Sequence, residues 1–145
     1  MLKRSMILFI LLSVPMFANQ PLKKIELSIS SHVFLVEVAD TPESRAQGLM
    51  FRKDLAANAG MLFVFPDQDY RYFYMKNTFI PLSIAYIDIQ GTILEIHDME
   101  PFNQRTVASM HDNIAFALEL NRGSFQKLGI KPGMKIQNLP NPSQY

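Results

Sequence analysis

The chain has no cysteine. Without one there is no disulfide, no thiolate nucleophile, no thiolate-ligated metal and no lipid-anchored N-terminus of the lipoprotein type. An excess of one charge is lacking as well. The 14 Lys and Arg stand against 13 Asp and Glu, with no basic cluster of the kind that nucleic acid or anionic lipid selects. No glycine-rich loop is present to cradle a phosphate, and no serine sits in a strained glycine-flanked elbow. Internal repeats and low-complexity linkers are missing too, so one domain is expected, held by packing alone.

What is there suits such a domain. Over 145 residues, 48% are hydrophobic and 11% aromatic, enough to bury a core without covalent staples. Residues 1–18 follow a different rule from the rest. Lys3 and Arg4 precede an apolar stretch at 6–14, then Pro15, Met16, Phe17 and Ala18, the pattern of a signal peptide. The apolar run falls short of the ~20 residues that span a bilayer. Met16 stands where a small residue is usual, three positions before the cut, and a retained membrane anchor is the alternative. Cleavage removes Lys3 and Arg4 and no acid, so 14 basic residues fall to 12 against 13 acidic and the formal charge becomes −1. A periplasmic or secreted protein is expected, with no membrane attachment once the signal is cut.

Beyond a short leader at 19–24, the pattern is strand-rich. Ile25, Leu27 and Ile29 alternate with polar residues, as do Phe34, Val36 and Val38, the period of half-buried strands. The interval at 30–32 suits a hairpin. Thr41, Pro42 and Glu43 then supply a cap, a preset first helical position and a charge complementing the helix dipole. This predicts a helix running to Leu49. Strands are expected at 61–65 and 72–76 around a turn at 66–69, and at 83–88 and 92–97 around Gln90-Gly91. A further strand at 115–120, a helical turn at 124–128 and a last strand at 134–137 complete the domain, 25–137. Residues 138–145 read as a solvated tail. The fold class is α+β and mostly β: a curved or barrel-like antiparallel or mixed sheet with one or two short helices.

Several phrases occur in an order that points to a known family. They are Glu43-Ser44-Arg45 leading to Gly48-Leu49-Met50-Phe51-Arg52, then Gly60-Met61-Leu62-Phe63, then Met75-Lys76-Asn77-Thr78 with Pro81-Leu82. Leu118-Glu119-Leu120 with Gly123, and Gly129-Ile130 with Pro132-Gly133, follow. Together they resemble the bacterial and archaeal domain-of-unknown-function 192 family over nearly all of 25–137. The resemblance implies a small, largely β fold and no assigned activity. It also implies an Asp after Pro81-Leu82, where this chain has Ser83.

Three constellations carry candidate chemistry. Arg45 and Arg52 would share one helix face if the helix passes Gly48, and could clamp a carboxylate or phosphate. The structural alternative is that one of them pairs with Glu119, an acid in an apolar run, or ties down loop carbonyls. Lys76, Asn77 and Thr78 follow the aromatic run Tyr70, Tyr72, Phe73 and Tyr74, and could place donors at an aromatic-walled pocket. The alternative is a strand end and a turn. His97, Met99, Met110 and His111 form a soft-ligand set for copper, against which methionine is a routine core filler. Asp88, Glu95, Asp98, Glu100 and Asp112 read as solvated.

The leading expectation is a non-enzymatic, monomeric module that binds a small polar ligand or an envelope protein and needs no cofactor. Its site would be Lys76, Asn77 and Thr78, supported by Arg45, Arg52 and Glu119. A hydrolase or transferase using a Lys76/Glu119 pocket, with Glu119 or Asp98 as acid or base, is the first alternative. A copper-handling protein is the second.

Overall fold

The computed structural model describes residues 20–145; the expected signal peptide, 1–18, lies outside the described residues. Strands β1 (Lys24–Ile29) and β2 (His32–Ala39) form the expected hairpin, with Ile25 opposite Val36 and Leu27 opposite Phe34. The period-2 pattern divides buried from exposed positions as the polarity implies: Leu27, Ile29, Phe34, Val36 and Val38 are buried, whereas Val33 and Leu35 face out. Helix α1 (Pro42–Gln47) starts where Thr41 predicts. The Thr41 hydroxyl accepts from the Ser44 amide at 3.1 Å, and Ser44 Oγ accepts from the Thr41 amide at 3.0 Å, a reciprocal cap. The helix stops at Gln47, short of the expected Leu49. Gly48 ends the helix there with φ 49° and ψ −133°, a conformation open to glycine and strained for other residues. Arg45 and Arg52 therefore do not share a helical face.

Strand β3 (Ala59–Asp69) runs parallel to β2. It is longer than expected: residues 66–69 stay extended beyond a register shift between Val64 and Asp69. Strand β4 (Tyr72–Phe73) is shorter than expected, so Lys76 lies in a turn rather than a strand. Strands β5 (Leu82–Ile87) and β6 (Ile93–Met99) make the expected hairpin. Asp88 Oδ1 fixes its turn by accepting from the amides of Gln90 and Thr92 at 2.9 and 2.8 Å. A two-residue strand β7 (Val107–Ala108) pairs with β4 in a small separate sheet. Strand β8 (Ile114–Asn121), helix α2 (Ser124–Lys127) and the short strand β9 (Ile136–Gln137) follow. Residues 138–145 end in a 3₁₀ turn, and Leu139 packs against the core.

The main sheet has seven strands in the order β6-β5-β8-β3-β2-β1-β9. Its two ends approach each other. The Ile93 amide donates to Met134 O at 2.9 Å, the Gly133 amide to Ile93 O at 2.8 Å, and the Ile136 amide to Gly91 O at 2.8 Å. The sheet is thus curled into a half-barrel, as the expected curved architecture requires. One core fills the side shared by all the long strands, with Leu27, Phe34, Leu62, Leu118 and Phe125 among its members. A second core covers the opposite face of β3, β5 and β8, where Met61, Phe63, Ile84, Tyr86 and Ala117 meet Met75, Ile80 and Leu49. Because β5 and β8 are covered on both faces, they read as almost continuous apolar runs. Gly60 lets β3 close onto β8: a Cβ there would lie 2.4 Å from Glu119 O and 2.6 Å from Leu120 Cδ2.

Candidate functional site

Glu119 interrupts the apolar run of β8 and points to the second core. Its cross-strand neighbours are Met61 on β3 and Ile84 on β5, both fully buried. The Glu119 residue is only 5% exposed. Its carboxyl makes no hydrogen bond with any described residue, and burial pushes its pKa up to about 8. A carboxyl between two apolar side chains holds its proton at neutral pH, because ionisation there has no compensating partner. It is an O–H donor and a carbonyl acceptor rather than an anion.

Above Glu119 lies a cavity of about 380 Å³. Helix α1 with the turn after it forms one side, and residues 70–78 form the other. Its walls are aromatic. Phe63 and Phe73 stand edge to face at 4.8 Å, and Phe65 meets Phe73 at 6.4 Å. Tyr70, Tyr72 and Tyr74 line the cavity and are also exposed to solvent. Alternation along this segment sends Phe73 and Met75 inward and leaves the tyrosines outward.

Two guanidiniums complete the lining. Arg45 Nη1 donates to Asp40 O at 2.6 Å and Val64 O at 2.9 Å, and it makes no salt bridge with an acid among the described residues. Arg71 Nε donates to Ile114 O at 3.2 Å, and its Nη2 to Asp67 Oδ1 at 2.7 Å. Arg71 holds the Asp67 carboxyl below the usual carboxylate range. The Arg71 and Arg45 guanidinium carbons lie 4.0 and 5.7 Å from the Phe65 ring centroid, within cation–π range.

Of the residues expected at the site, Glu119, Arg45 and Thr78 line this cavity together. Lys76 is exposed and lies outside the lining. Asn77 takes a φ of 52°, and its carbonyl accepts from the Phe51 amide at 2.8 Å. The Thr78 hydroxyl donates to Lys76 O at 3.0 Å. The phrase at 76–78 is thus a turn in which Asn77 and Thr78 bond backbone. The expected ion pair of Arg45 or Arg52 with Glu119 does not form. Arg52 instead makes a two-pronged pair with Glu37, through Nη1 to Oε2 and through Nη2 to Oε1 at 3.0 Å. The early end of α1 carries Arg52 away from the cavity.

The histidines converge, but on a carboxylate. His97 Nε2 lies 2.9 Å from Glu95 Oε1 and His111 Nδ1 lies 2.6 Å from Oε2. The Met110 amide reaches both oxygens at 2.9 and 3.0 Å. Glu95 is therefore not the solvated acid expected; it is 3% exposed. Burial raises its pKa, yet hydrogen bonds from His111, His97 and the Met110 amide outweigh burial, so the net displacement is downward. Met99 is buried in the second core and the Met110 side chain is exposed, so the two sulfurs do not meet the histidines as a copper set. Among the described residues, no group of three or more His, Asp or Glu is placed to hold a metal.

Ser83, the departure from the expected Asp, is buried. Its hydroxyl donates to Asp98 Oδ1 at 2.6 Å and accepts from the Gly123 amide at 3.0 Å. A carboxylate at 83 would face that of Asp98. Two functional residues escape sequence reasoning. Arg71 is visible only as a cation interleaved among aromatics, and Glu95 only by sharing the strand parity of buried Ile93.

Fold and site together define a curled β half-barrel with an aromatic cavity over a buried acid. The chain belongs to the DUF192 family, described as an uncharacterized ACR, whose profile matches residues 25–138. Two crystal structures are similar to it. A protein from Sinorhizobium meliloti 1021 described as a "putative transcription regulator" is 35% identical, with a TM-score of 0.78 over 81% of this chain and 95% of that one. A protein of unknown function from Novosphingobium aromaticivorans DSM 12444 is 31% identical, with a TM-score of 0.77 over 83% of this chain and 89% of that one. No curated protein matches the chain.

Proposed function

We propose that this chain is an exported, non-enzymatic module that binds a small polar ligand in the cavity above Glu119. The observation that carries the reading is a buried carboxyl with no partner among the described residues, at an aromatic-walled opening. Among the described residues no side-chain oxygen or nitrogen is both sealed from solvent and unpartnered, so the Glu119 oxygens open onto the cavity, where a ligand can bond them. Few polar groups converging in an apolar concavity is the usual composition of a small-molecule site. Export rests on the charged and apolar pattern of residues 1–18.

A raised carboxyl pKa also suits a general acid, which is the observation in favour of a hydrolase or transferase. Among the described lining residues no second carboxylate or histidine accompanies Glu119, and Lys76 is outside the lining, so binding is the reading preferred. The test is native mass spectrometry of the full chain purified from an envelope extract, followed by a thermal-shift screen of sugars, peptides, carboxylates, amines and copper. A co-purified small mass, or a shift abolished by Glu119→Leu, is expected. A screen with no shift for any class sinks the reading.

A further inference from the structure

The structure assigns the cavity above Glu119 to a small monocarboxylate with an apolar or aromatic body, recognised by Arg45 together with the Glu119 carboxyl. This rests on the binding reading above and adds the chemistry of the ligand.

Arg45 and the Glu119 O–H are donors at the lining with bonding capacity left over. Arg45 uses only Nη1, on two backbone carbonyls, so its Nε and Nη2 have no hydrogen-bond partner among the described residues. Glu119 lies between Met61 and Ile84, where a second negative charge has no support, and it presents an O–H. A ligand carboxylate supplies the acceptors that both groups lack, and a guanidinium–carboxylate contact is among the strong hydrogen bonds. The charges agree. Arg45 and Arg71 are the fixed charges of the lining, and the one acid close to Arg71 is Asp67, outside it. A cationic ligand would meet Arg45, with Arg71 already paired to Asp67, and only a neutral carboxyl in its favour. Phe63, Phe65 and Phe73 provide an apolar wall for the rest of the molecule.

Burial alone sets the pH response of Glu119, and the charged and titratable groups around it are few. Arg45 from α1, and Arg71, Tyr70, Tyr72 and Tyr74 from the segment after β3, share the cavity with Glu119, and Tyr86 from β5 is electrostatically coupled to it; β3 places Met61 beside it and contributes Asp67, which is paired with Arg71. Across the interval where Glu119 loses its proton, the site exchanges a donor for a negative charge. Carboxylate binding weakens as pH rises through that interval, and amine binding strengthens.

Three probes with one body separate the possibilities: 3-phenylpropionate, 3-phenylpropanamide and 3-phenylpropylamine, titrated calorimetrically into the full chain at pH 6 and pH 9.5. The propionate is expected to bind, about tenfold more weakly at pH 9.5, with the ring resonances of Phe63, Phe65 and Phe73 shifting in NMR. Arg45→Gln is expected to lower its affinity about tenfold, roughly the loss of 1.4 kcal/mol. Glu119→Gln, whose amide still donates, is expected to keep the affinity and flatten the pH dependence. Should Arg45→Gln not fold, the wild-type pH profile and the amine comparison decide alone. Preference for the amine, increasing with pH, overturns the carboxylate assignment and leaves a binding cavity. Propionate affinity indifferent to pH, or to Arg45→Gln, overturns it too, by placing the ligand elsewhere. If no probe binds and the broader screen is also blank, the binding reading falls with it.

Discussion

Glu95 and Glu119 lie on the same face of one sheet, separated by β5, and are buried to nearly the same degree, 3% and 5% exposed. Their environments part company completely. Glu95 collects His97, His111 and the Met110 amide and is held below the usual carboxylate range once those bonds outweigh burial. Glu119 has Met61 and Ile84 beside it and is pushed up to about 8 by burial. Tyr86 stands between them: burial raises its pKa, and both acids add to the effect. Burial alone therefore does not define a site; the partner count does. A buried acid with every lone pair engaged is a clamp, here tying residues 110–111 to the sheet. A buried acid with no partner among the described residues keeps its proton and opens on a cavity, and it is this contrast that motivates the binding proposal.

The largest effect expected from this contrast is at the clamp. Glu95→Ala should destabilise the fold by ~3–5 kcal/mol, since it leaves a buried amide and two histidines without their acceptor. Chemical denaturation reads this directly, and a loss below 1 kcal/mol would break the comparison. Next is the opposite sign at Glu119. Its folded pKa of about 8 lies above the unfolded value of 4.5, so between these values the unfolded chain binds fewer protons. Stability contributed by this group then falls as pH rises from 4.5 to 8 and is level beyond. Glu119→Gln should be more stable than the parent by ~2–4 kcal/mol at pH 8.5 and nearly equal to it at pH 4.5. Parallel stability profiles for the two proteins would mean that Glu119 is charged and paired after all. Glu95 has the reverse linkage: its depressed folded pKa contributes stability above its unfolded value of 4.5, lost as pH falls through the folded one.

Smaller effects sharpen the contrast at the surface. Arg52→Ala should cost ~1 kcal/mol, because its pair with Glu37 is two-pronged but partly exposed. It should leave cavity binding unchanged, whereas an affinity loss would restore Arg52 to the site. Lys76→Ala should alter melting by less than ~0.5 kcal/mol and leave ligand affinity intact, which thermal-shift titration can check against Arg45→Gln.

Local order was readable in the sequence wherever local rules decide it. The hairpins, the Thr41 cap, the turn at Gly91 and the helical turn at 124–128 follow from spacing and residue type. The family phrases fall where chain packing needs them: Gly60 closes β3 on β8, and Gly48 ends α1. The cavity was half readable. Its aromatic walls were announced by the run at 70–74, and Glu119 by its place in an apolar strand. Proximity in sequence made Lys76 look like part of the pocket, whereas Arg52 pairs with Glu37 rather than Glu119 because α1 ends early. A turn of two residues rotates a side chain out of a cavity without any change in composition.

The sequence by itself determined the strand-rich class, the helix start, the lack of covalent staples and the family. These depend on periodicity and on residue chemistry that acts over a few positions. Only the tertiary structure decided which acids have partners. Glu37 and Arg52 lie 15 positions apart, and so do Glu95 and Met110, while Glu119 meets only apolar neighbours from strands distant in sequence. Partners of this kind are selected by the register of a sheet whose order is not the order of the chain, and register is set by the whole core at once.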